Sequence, residues 1–472
     1  MPSTSPRRPT TAVRNGFTVV IVAGLAWAAL RATAVDETVP VGGPPVPVRL
    51  ADEYAPSRMP DRVILTITET PARSMAVTWR TSREVGQGIA QIVPAGPGPD
   101  FAADPTEIQA TKEDLKTDLG HARYHSVTFE KLSPKTKYAY RVGDGANWSE
   151  WFHFTTASDS PEPFSFIYFG DAQNDVKSLW SRVVREAWSD APKARFLLHA
   201  GDLIDRANAD AEWGEWFSAG GWVNGMIPNV LVAGNHEYAK RLDDNRALSG
   251  HWRPQFTLPL NGPGEFPETV YSFDYQGVRV IVLDSNVART PQVAFLDSKL
   301  RDNPCRWTIV SLHAPVFSTA KNRDNAPIRE AYKPLFDKYR VDLVLQGHDH
   351  TYGRTGLAVP PGVAAEFPAG TTVENLAEGV TGVSPAGGTV YVVSVSGPKM
   401  YRLDEKPFMK RSAENTQLYQ IIHIDGDQLR YEARTAVGDL YDAFALKKRA
   451  GQPNILVEQV PGLPERRWNP PK

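Results

Sequence analysis

The stretch FSFIYFGD at residues 164–171 is an apolar run that ends abruptly in a glycine and an aspartate. The same pattern returns in RFLLHAGD (195–202), PNVLVAGNHE (228–237), VRVIVLDS (278–285), WTIVSLHAP (307–315) and VDLVLQGHDH (341–350). Helix-like stretches such as VKSLWSRVVREAW (176–188) lie between some of these runs. Continuous apolar strands that alternate with helices are typical of sheets covered on both faces. The sequence therefore predicts an α/β region over this part of the chain.

The residues that end these runs are of metal-ligating types. Ligands of α/β sheets bind beyond the carboxyl ends of the strands, so side chains at those ends should meet. Six of them qualify: Asp171, Asp202, Asn235, His313, His348 and His350. Each alone has an ordinary explanation, since an aspartate after a strand is often a helix cap and an asparagine after a glycine is often a turn residue. All six together predict a metal site.

The donor types of this set indicate which ions it would hold. Carboxylates, a side-chain amide and imidazoles suit Zn, Fe, Mn or similar ions. Six such groups are more than one ion needs, so we predict two ions about 3.5–4 Å apart that share a bridging carboxylate. A water held between two such ions loses a proton near neutral pH and attacks an in-line phosphorus.

The region before residue 158 has a different pattern. Short β-branched and aromatic runs such as RVILTITE (62–69), SMAVTWRT (74–81) and KYAYRVGD (137–144) alternate with turn residues. This pattern predicts a small antiparallel β-sandwich. Trp79 and the pair Tyr138 and Tyr140 are expected to pack in its core rather than contact a ligand.

The first 34 residues have the features of an export signal. Three arginines precede the apolar run FTVVIVAGLAWAAL (17–30), and ATA (32–34) offers small residues for cleavage after Ala34. An uncleaved N-terminal anchor is the alternative. We expect a secreted, periplasmic or cell-surface protein without a stable membrane span after cleavage. The single cysteine, Cys305, allows no internal disulfide.

The net charge and the positions of glycine, proline and turn residues complete the predicted organisation. With 52 basic and 54 acidic residues the formal charge is −2, so no specific nucleic-acid binding is expected. Residues 356–388, rich in glycine, proline and alanine, indicate a surface insertion, and LYQIIHIDGDQLRYEAR (418–434) predicts a hairpin with an Asp-Gly turn. The predicted segments are a signal peptide (1–34), a proline-rich linker (35–58), the sandwich (59–158), the α/β domain (162–447) and an extended tail (448–472).

The polar motifs resemble those of a known family. GD at 170–171, GD at 201–202, GNHE at 234–237, His313 in SLHAP and GHDH at 347–350 are similar to the motifs of calcineurin-like metallophosphoesterases in order and spacing. The preceding sandwich makes the chain resemble purple acid phosphatases with a fibronectin type III-like N-terminal domain. The resemblance covers about residues 54–445. It implies an α+β chain in which an antiparallel β-sandwich precedes a four-layer αββα metallophosphoesterase domain.

The resemblance also implies a role for each site residue. Asp202 would bridge two metal ions, Asp171 and His350 would complete the ligands of the first, and Asn235, His313 and His348 those of the second. His236 would contact the phosphoryl group or protonate the leaving oxygen. Imidazole suits this role because its ordinary pKa lies near working pH. Glu237 is expected to be structural. Tyr352 would line the site and Arg354 would support it.

The chain departs from the family pattern in three regions. Gln173 stands where many metallophosphoesterases have a histidine, and an amide is a weaker ligand. Asp205 stands where purple acid phosphatases have a ligating tyrosine, so we expect it to bind metal or to hydrogen-bond its neighbours. Lys321 and Arg323 lie near the place of a plant histidine pair and could offer positive charge to a phosphate.

These observations predict an exported, dinuclear metal-dependent phosphoesterase. A metal-bound hydroxide would attack a small phosphomonoester while His236 assists the leaving group. Two alternatives stay open: a phosphodiesterase acting on nucleotides or phospholipid head groups at the same site, and a surface binding protein with a weakened metal site. The sequence does not define the oligomeric state.

Overall fold

The computed structural model describes residues 47–240, 246–357, 380–383, 388–406, 408–449 and 452–468. The predicted export signal, half of the predicted linker and most of the predicted insertion lie outside these ranges, so they stay predictions. Within the described ranges, no helix has both the length and the apolar character that crossing a membrane requires. The chain from Leu50 onward forms one compact unit.

An antiparallel β-sandwich forms the N-terminal part of this unit. Its elements are the short helix α1 (Leu50–Glu53) and the strands β1 (Asp61–Thr66), β2 (Met75–Thr81), β3 (Ile89–Pro94), β4 (Thr106–Gln109), β5 (Thr111–Thr117), β6 (Gly120–Phe129), β7 (Lys137–Gly143) and β8 (Phe152–Thr155). Strands β1, β2, β6 and β5 lie side by side, and the second sheet has the order β4-β3-β7-β8. Trp79, Tyr138 and Tyr140 are buried between the sheets, which confirms their predicted core role.

The remaining elements build the α/β region. The first half contains β9 (Phe164–Phe169), α2 (Ser181–Asp190), β10 (Leu197–His199), α3 (Asp210–Gly220), β11 (Asn229–Leu231), β12 (Tyr238–Lys240), β13 (Arg246–Leu248), α4 (Trp252–Gln255), β14 (Tyr271–Tyr275), β15 (Val278–Val282) and α5 (Arg289–Arg301). The second half contains β16 (Trp307–Ser311), α6 (Ala326–Tyr339), β17 (Leu343–Gln346), β18 (Tyr352–Thr355), β19 (Val380–Val383), β20 (Val390–Val393), β21 (Met409–Ala413), β22 (Leu418–Asp425), β23 (Gln428–Thr435), β24 (Leu440–Arg449) and β25 (Gln452–Glu458).

Two sheets stack face to face in this region. One contains β9, β10 and β11 with β22 to β25 and β19; the other has the order β14-β15-β16-β17-β20-β18-β21. Helices α2 and α3 pack on the first sheet and α5 and α6 on the second, through apolar residues such as Val183 and Phe336. The predicted αββα layering is confirmed. Tyr168 of β9 donates to the carbonyl of Gln346 of β17, which ties the carboxyl ends of the two sheets together.

The sandwich and the α/β region share one sheet. Strand β1 pairs in parallel with β11, with Thr66 opposite Asn229, so the sandwich sheet continues into a sheet of 12 strands. Beside this junction the buried Arg62 bonds Asp210 at the start of α3, with 2.8 Å between Nη1 and Oδ1. The sequence indicated two consecutive domains, and it gave no sign of this pairing because the paired residues are far apart in the chain.

The C-terminal segment departs from the prediction. For residues 448–472 the sequence predicts an extended tail, but β24 ends at Arg449 and Gln452–Glu458 is strand β25, paired with β24 and β19. The run NILVE within β25 supplies apolar residues such as Leu456, which is buried. The hairpin of β22 and β23 is confirmed, and its turn contains Gly426 with a φ of +51°, a conformation that glycine adopts at little cost.

Candidate metal centre

The six predicted metal ligands meet at one place. They lie just beyond strand ends: Asp171 after β9, Asp202 after β10, Asn235 after β11, His313 after β16, and His348 and His350 after β17. The first three strands belong to one sheet and the last two to the other, so the site lies where the carboxyl ends of both sheets come together. Two overlapping groups result, Asp202 with His313 and His348, and Asp171 with Asp202 and His350; within each, the ligand atoms lie within 4.8 Å of one another.

His313 lies at the centre of the first group. Its Nε2 is 3.1 Å from Asp202 Oδ2, 3.2 Å from Asn235 Oδ1 and 3.2 Å from His348 Nδ1. Its Nδ1 donates to the carbonyl of Ala200 at 2.8 Å, which fixes the ring so that Nε2 faces the site. Four lone-pair-bearing atoms therefore surround one small volume, which is the arrangement that a cation satisfies.

In the second group, the His350 ring is fixed in the same way as that of His313. Its Nδ1 donates to the carbonyl of Lys399 at 2.9 Å, and its Nε2 faces Asp171 Oδ1 at 3.5 Å. The Gln173 amide nitrogen lies 2.8 Å from the same Nε2. Gln173 Oε1 is buried and has no hydrogen-bond partner among the described residues. The residues present thus fit a pair of metal ions that share Asp202, with Gln173 in contact with a candidate ligand.

Burial and mutual charge shift the pKa values in this cluster. Burial acts to lower the pKa of His313, but Asp202 and Asp171 outweigh it and raise that pKa to about 10. Burial also acts to raise the pKa of Asp202, but His313 outweighs it, so that pKa is lowered. Burial lowers the pKa of His348 to about 2 and that of His350 to about 4, which keeps both rings neutral, as a metal ligand must be. His313 therefore carries the proton whose place a metal ion would take.

The backbone around the site is close-packed and bent. Asp171, Asp202 and His348 have positive φ values of 41°, 53° and 72°, which are uncommon for residues with a Cβ and cluster at functional sites. A Cβ on Gly234 would lie 2.2 Å from Asp202 Oδ1, and one on Gly347 would lie 2.4 Å from Asp171 Oδ2. Only glycine fits at these two positions, which explains the glycines of GNHE and GHDH.

Glu237 supports the loops that carry two of the candidate ligands. Its buried carboxylate accepts from the backbone N–H groups of Asp202 at 2.9 Å, Gly234 at 2.6 Å and Leu203 at 2.8 Å. Burial and the charge of Asp202 raise its pKa to about 8, against the lowering effect of these donors. The contacts agree with the structural role predicted for Glu237.

His236 and Asp205 lie at the solvent side of the site. The His236 backbone donates to Asp202 Oδ1 at 2.9 Å, which places the residue directly beside a candidate ligand. Its Nδ1 lies 2.5 Å from the Asp205 carbonyl and 3.5 Å from the Asp205 carboxylate, and its side chain is 26% exposed. Asp205 therefore contacts His236, and it does not appear in either candidate metal group within the described residues.

Of the two basic residues predicted near the site, Arg323 reaches it and Lys321 does not. Arg323 Nη2 contacts His348 Nε2, and its Nε lies 3.1 Å from Asp349 Oδ1. Its guanidinium also lies over the ring of Tyr401, 5.3 Å from the centroid. Lys321 is exposed, and its contact in the described structure is a backbone bond to Arg402.

Tyr352 does not line the site, so that prediction is wrong. The side chain is fully buried, and its hydroxyl donates to Asp442 Oδ2 at 2.6 Å. Arg354, two residues further along β18, points the same way and bonds Asp442 at 2.7 Å and Glu458 at 2.8 Å. Because residues i and i+2 of a strand share a face, the alternation of β18 directs both side chains into the interior.

Sequence reasoning missed Tyr401 and its segment. The Tyr401 ring packs on the ring of His350 with 4.5 Å between centroids, and Lys399 supplies the carbonyl that orients His350. Both follow β20, whose run VYVVSVSG (390–397) is another apolar stretch that ends in small and polar residues. The pattern used for the other strand ends could have indicated this segment too.

The chain matches two protein-family models. Residues 164–352 match the model for calcineurin-like phosphoesterases, and residues 60–156 match the model for the purple acid phosphatase N-terminal domain. Over these ranges the chain is similar to calcineurin-like phosphoesterases and to purple acid phosphatases, as the sequence motifs indicated.

Two individual relatives and one solved structure share less than 30% sequence identity with this chain. The chain is 26% identical over 318 residues to a phosphoenolpyruvate phosphatase of Allium cepa, covering 63% of each protein, and 28% identical over 337 residues to human (Homo sapiens) acid phosphatase type 7, covering 64% of this chain and 72% of that protein. The match therefore spans less than two thirds of the onion protein's length. The structure of a purple acid phosphatase from yellow lupin (Lupinus luteus) seeds shares the fold with a TM-score of 0.67 and 17% identity, covering 83% of this chain and 75% of that one.

Proposed function

We propose that the protein is a dinuclear metal-dependent phosphoesterase that hydrolyses small phosphomonoesters. The observation that carries this proposal is the pair of Asp/His groups that share Asp202 and lie beside the part-exposed His236. The relatives support a phosphate-ester substrate, since the onion protein is named a phosphoenolpyruvate phosphatase. The predicted export signal is consistent with an extracellular or periplasmic phosphatase.

The candidate ligands divide between two metal ions as follows. Asp171 and His350 would hold the first, His313, His348 and Asn235 would hold the second, and Asp202 would be a ligand shared by both. A relative in Arabidopsis thaliana is named an Fe(3+)-Zn(2+) purple acid phosphatase, which is consistent with two different ions. When bound, the two ions supply Lewis acidity towards the phosphoryl oxygens and make the attacking water acidic.

His236 is the candidate acid for the leaving group. The contact of its Nδ1 with the Asp205 carbonyl directs Nε2 away from that carbonyl, and the ring remains open to a substrate. An imidazolium at this position would donate a proton to the alkoxide as the phosphorus–oxygen bond breaks. Asp205 holds the ring orientation through these contacts.

Arg323 is the candidate phosphate contact beside His348. Asp349 holds its Nε, and the Tyr401 ring lies beneath its guanidinium. The side chain is 30% exposed, so it can turn from His348 towards a bound phosphoryl oxygen. A guanidinium suits this role because its planar N–H groups match the oxygens of a phosphate.

The test compares two chromogenic substrates. Purified protein should hydrolyse 4-nitrophenyl phosphate faster than bis(4-nitrophenyl) phosphate. Dialysis against a chelator should abolish both activities, and addition of zinc, manganese or iron should restore them. Activity that survives complete metal removal, verified by elemental analysis, would overturn the metal-dependent mechanism. Faster hydrolysis of the diester would overturn the assignment of monoesters.

A further inference from the structure

A cavity of about 510 Å³ opens directly beside His236 and Asn235. It lies outside the cluster of metal-ligating atoms, on the side where His236 reaches solvent. Among the described residues, its charged and titratable lining residues are Asp118, Asp205, Arg206, His236, Tyr238, Lys240 and Arg246. If His236 protonates the departing oxygen, the group attached to that oxygen must extend past His236, and this cavity is the space it enters.

The acidic residues of the cavity wall already have contacts of their own. Asp205 contacts His236, and Asp118 Oδ1 accepts the backbone N–H of Asp210 at 2.9 Å. Arg206, also in the wall, is paired with Glu212, with 2.6 Å between Nε and Oε1.

Two further basic residues of the cavity wall come from one β-hairpin. Lys240 of β12 lies directly opposite Arg246 of β13 in their hairpin, so two cationic side chains border the same space. Within the described structure the Arg246 guanidinium donates to the carbonyl of Asn235 at 3.3 Å, which places it close to a candidate metal ligand. An anionic group on a leaving group that passes His236 would come within reach of this guanidinium.

We propose that this cavity is the leaving-group subsite and that it selects phosphate esters whose alcohol carries a second anionic group, a carboxylate or another phosphate. This inference rests on the proposed function, because it takes the orientation of the ester from His236. Arg246 is the residue that binds the second anion. Asp118, which comes from the turn between β5 and β6 of the sandwich, limits how much negative charge the cavity accepts.

The experiment measures binding without turnover. Phenylphosphonate, 4-carboxyphenylphosphonate and 1,4-benzenediphosphonate cannot be hydrolysed, and their affinities for the full-length, metal-loaded protein are measured by isothermal titration calorimetry. The wild-type protein should bind at least one of the two doubly anionic compounds about fivefold more tightly than phenylphosphonate, the effect expected of one exposed ion pair. The compound that binds more tightly shows whether the second anion is a carboxylate or a phosphate.

Three variants locate the effect. Arg246→Gln should abolish the preference and leave the affinity for phenylphosphonate unchanged. Arg58→Gln, which removes an exposed arginine paired with Glu84 in the sandwich, should retain the preference and is the matched control. Asp118→Asn, whose amide oxygen can still accept from Asp210, should increase the preference by about twofold or more.

Two results would overturn the subsite. These are equal wild-type affinities for all three compounds, and an Arg246→Gln variant that weakens all three alike. Turnover assays separate this inference from the proposed function. A protein that shows the binding preference but hydrolyses no phosphate ester would refute the proposed function and leave the subsite in place.

Discussion

Removal of the Glu237 carboxylate should destabilise the protein strongly. In Glu237→Ala, three buried backbone N–H groups, those of Asp202, Leu203 and Gly234, lose their acceptor. Each buried donor left unsatisfied costs about 1–3 kcal/mol, so the loss could reach about 9 kcal/mol. Water entering the space left by the side chain can replace part of these bonds, and we therefore expect a loss of about 3 kcal/mol or more.

Glu237→Gln should lie between the wild type and Glu237→Ala. Oε2 of Glu237 accepts from both Asp202 and Gly234, whereas Oε1 accepts from Leu203 alone. A glutamine can keep its oxygen towards the first two donors, and its NH₂ group then faces the N–H of Leu203. One bond is lost instead of three, so the expected cost is about 1–3 kcal/mol.

Urea unfolding measures this ranking. Tryptophan fluorescence reports the transition, and all proteins are kept in chelator so that differences in metal binding do not contribute. The control is Glu84→Ala, which removes a glutamate on the surface of the sandwich with a side chain that is 66% exposed. A Glu237→Ala variant whose free energy of unfolding is within about 0.5 kcal/mol of that control would refute the structural role of the carboxylate.

Three predictions concern the metal site. Asp202→Ala or His313→Ala should abolish hydrolysis and lower the bound metal measured by elemental analysis, and full activity with unchanged metal would exclude the two-metal arrangement. His236→Ala should keep its metal but lower kcat about 10²-fold, whereas a change confined to KM would assign His236 to ground-state binding. The active, metal-loaded protein should show no intense absorption between about 500 and 600 nm, since Asp205 replaces the family's tyrosine and Tyr352 is buried elsewhere. A band there that disappears on iron removal would contradict this.

The cluster of candidate metal ligands was predictable because the positions of these residues follow from local rules. Asp171, Asp202 and His313 each follow an apolar strand, and strands of stacked sheets bring their carboxyl ends together whatever the intervening loops contain. Gly234 and Gly347 could be predicted with them, since both lie within the quoted motifs. Order along the chain was therefore enough to identify the cluster.

The errors came from features that depend on tertiary structure. Tyr352 follows GHDH closely, but the direction of its side chain depends on how β18 pairs and on the buried Asp442 it meets. The strand character of Gln452–Glu458 depends on β24 and β19 beside it. The contact between Asp118 and the start of α3 joins two regions that the sequence presents as separate. Apart from β24, none of these partners is near in the chain.

The junction of β1 with β11 also limits how the protein can be divided. Consider a fragment that begins between residues 156 and 164, at the gap between the two matched family models. It would lack β1, one of the two neighbours of β11, and would leave N–H and C=O groups of β11 unpaired at the edge of the sheet. Unpaired edge strands pair with strands of other chains and so promote aggregation. The α/β half produced alone should therefore precipitate or form oligomers, whereas in the full chain β1 of the sandwich covers this edge of β11.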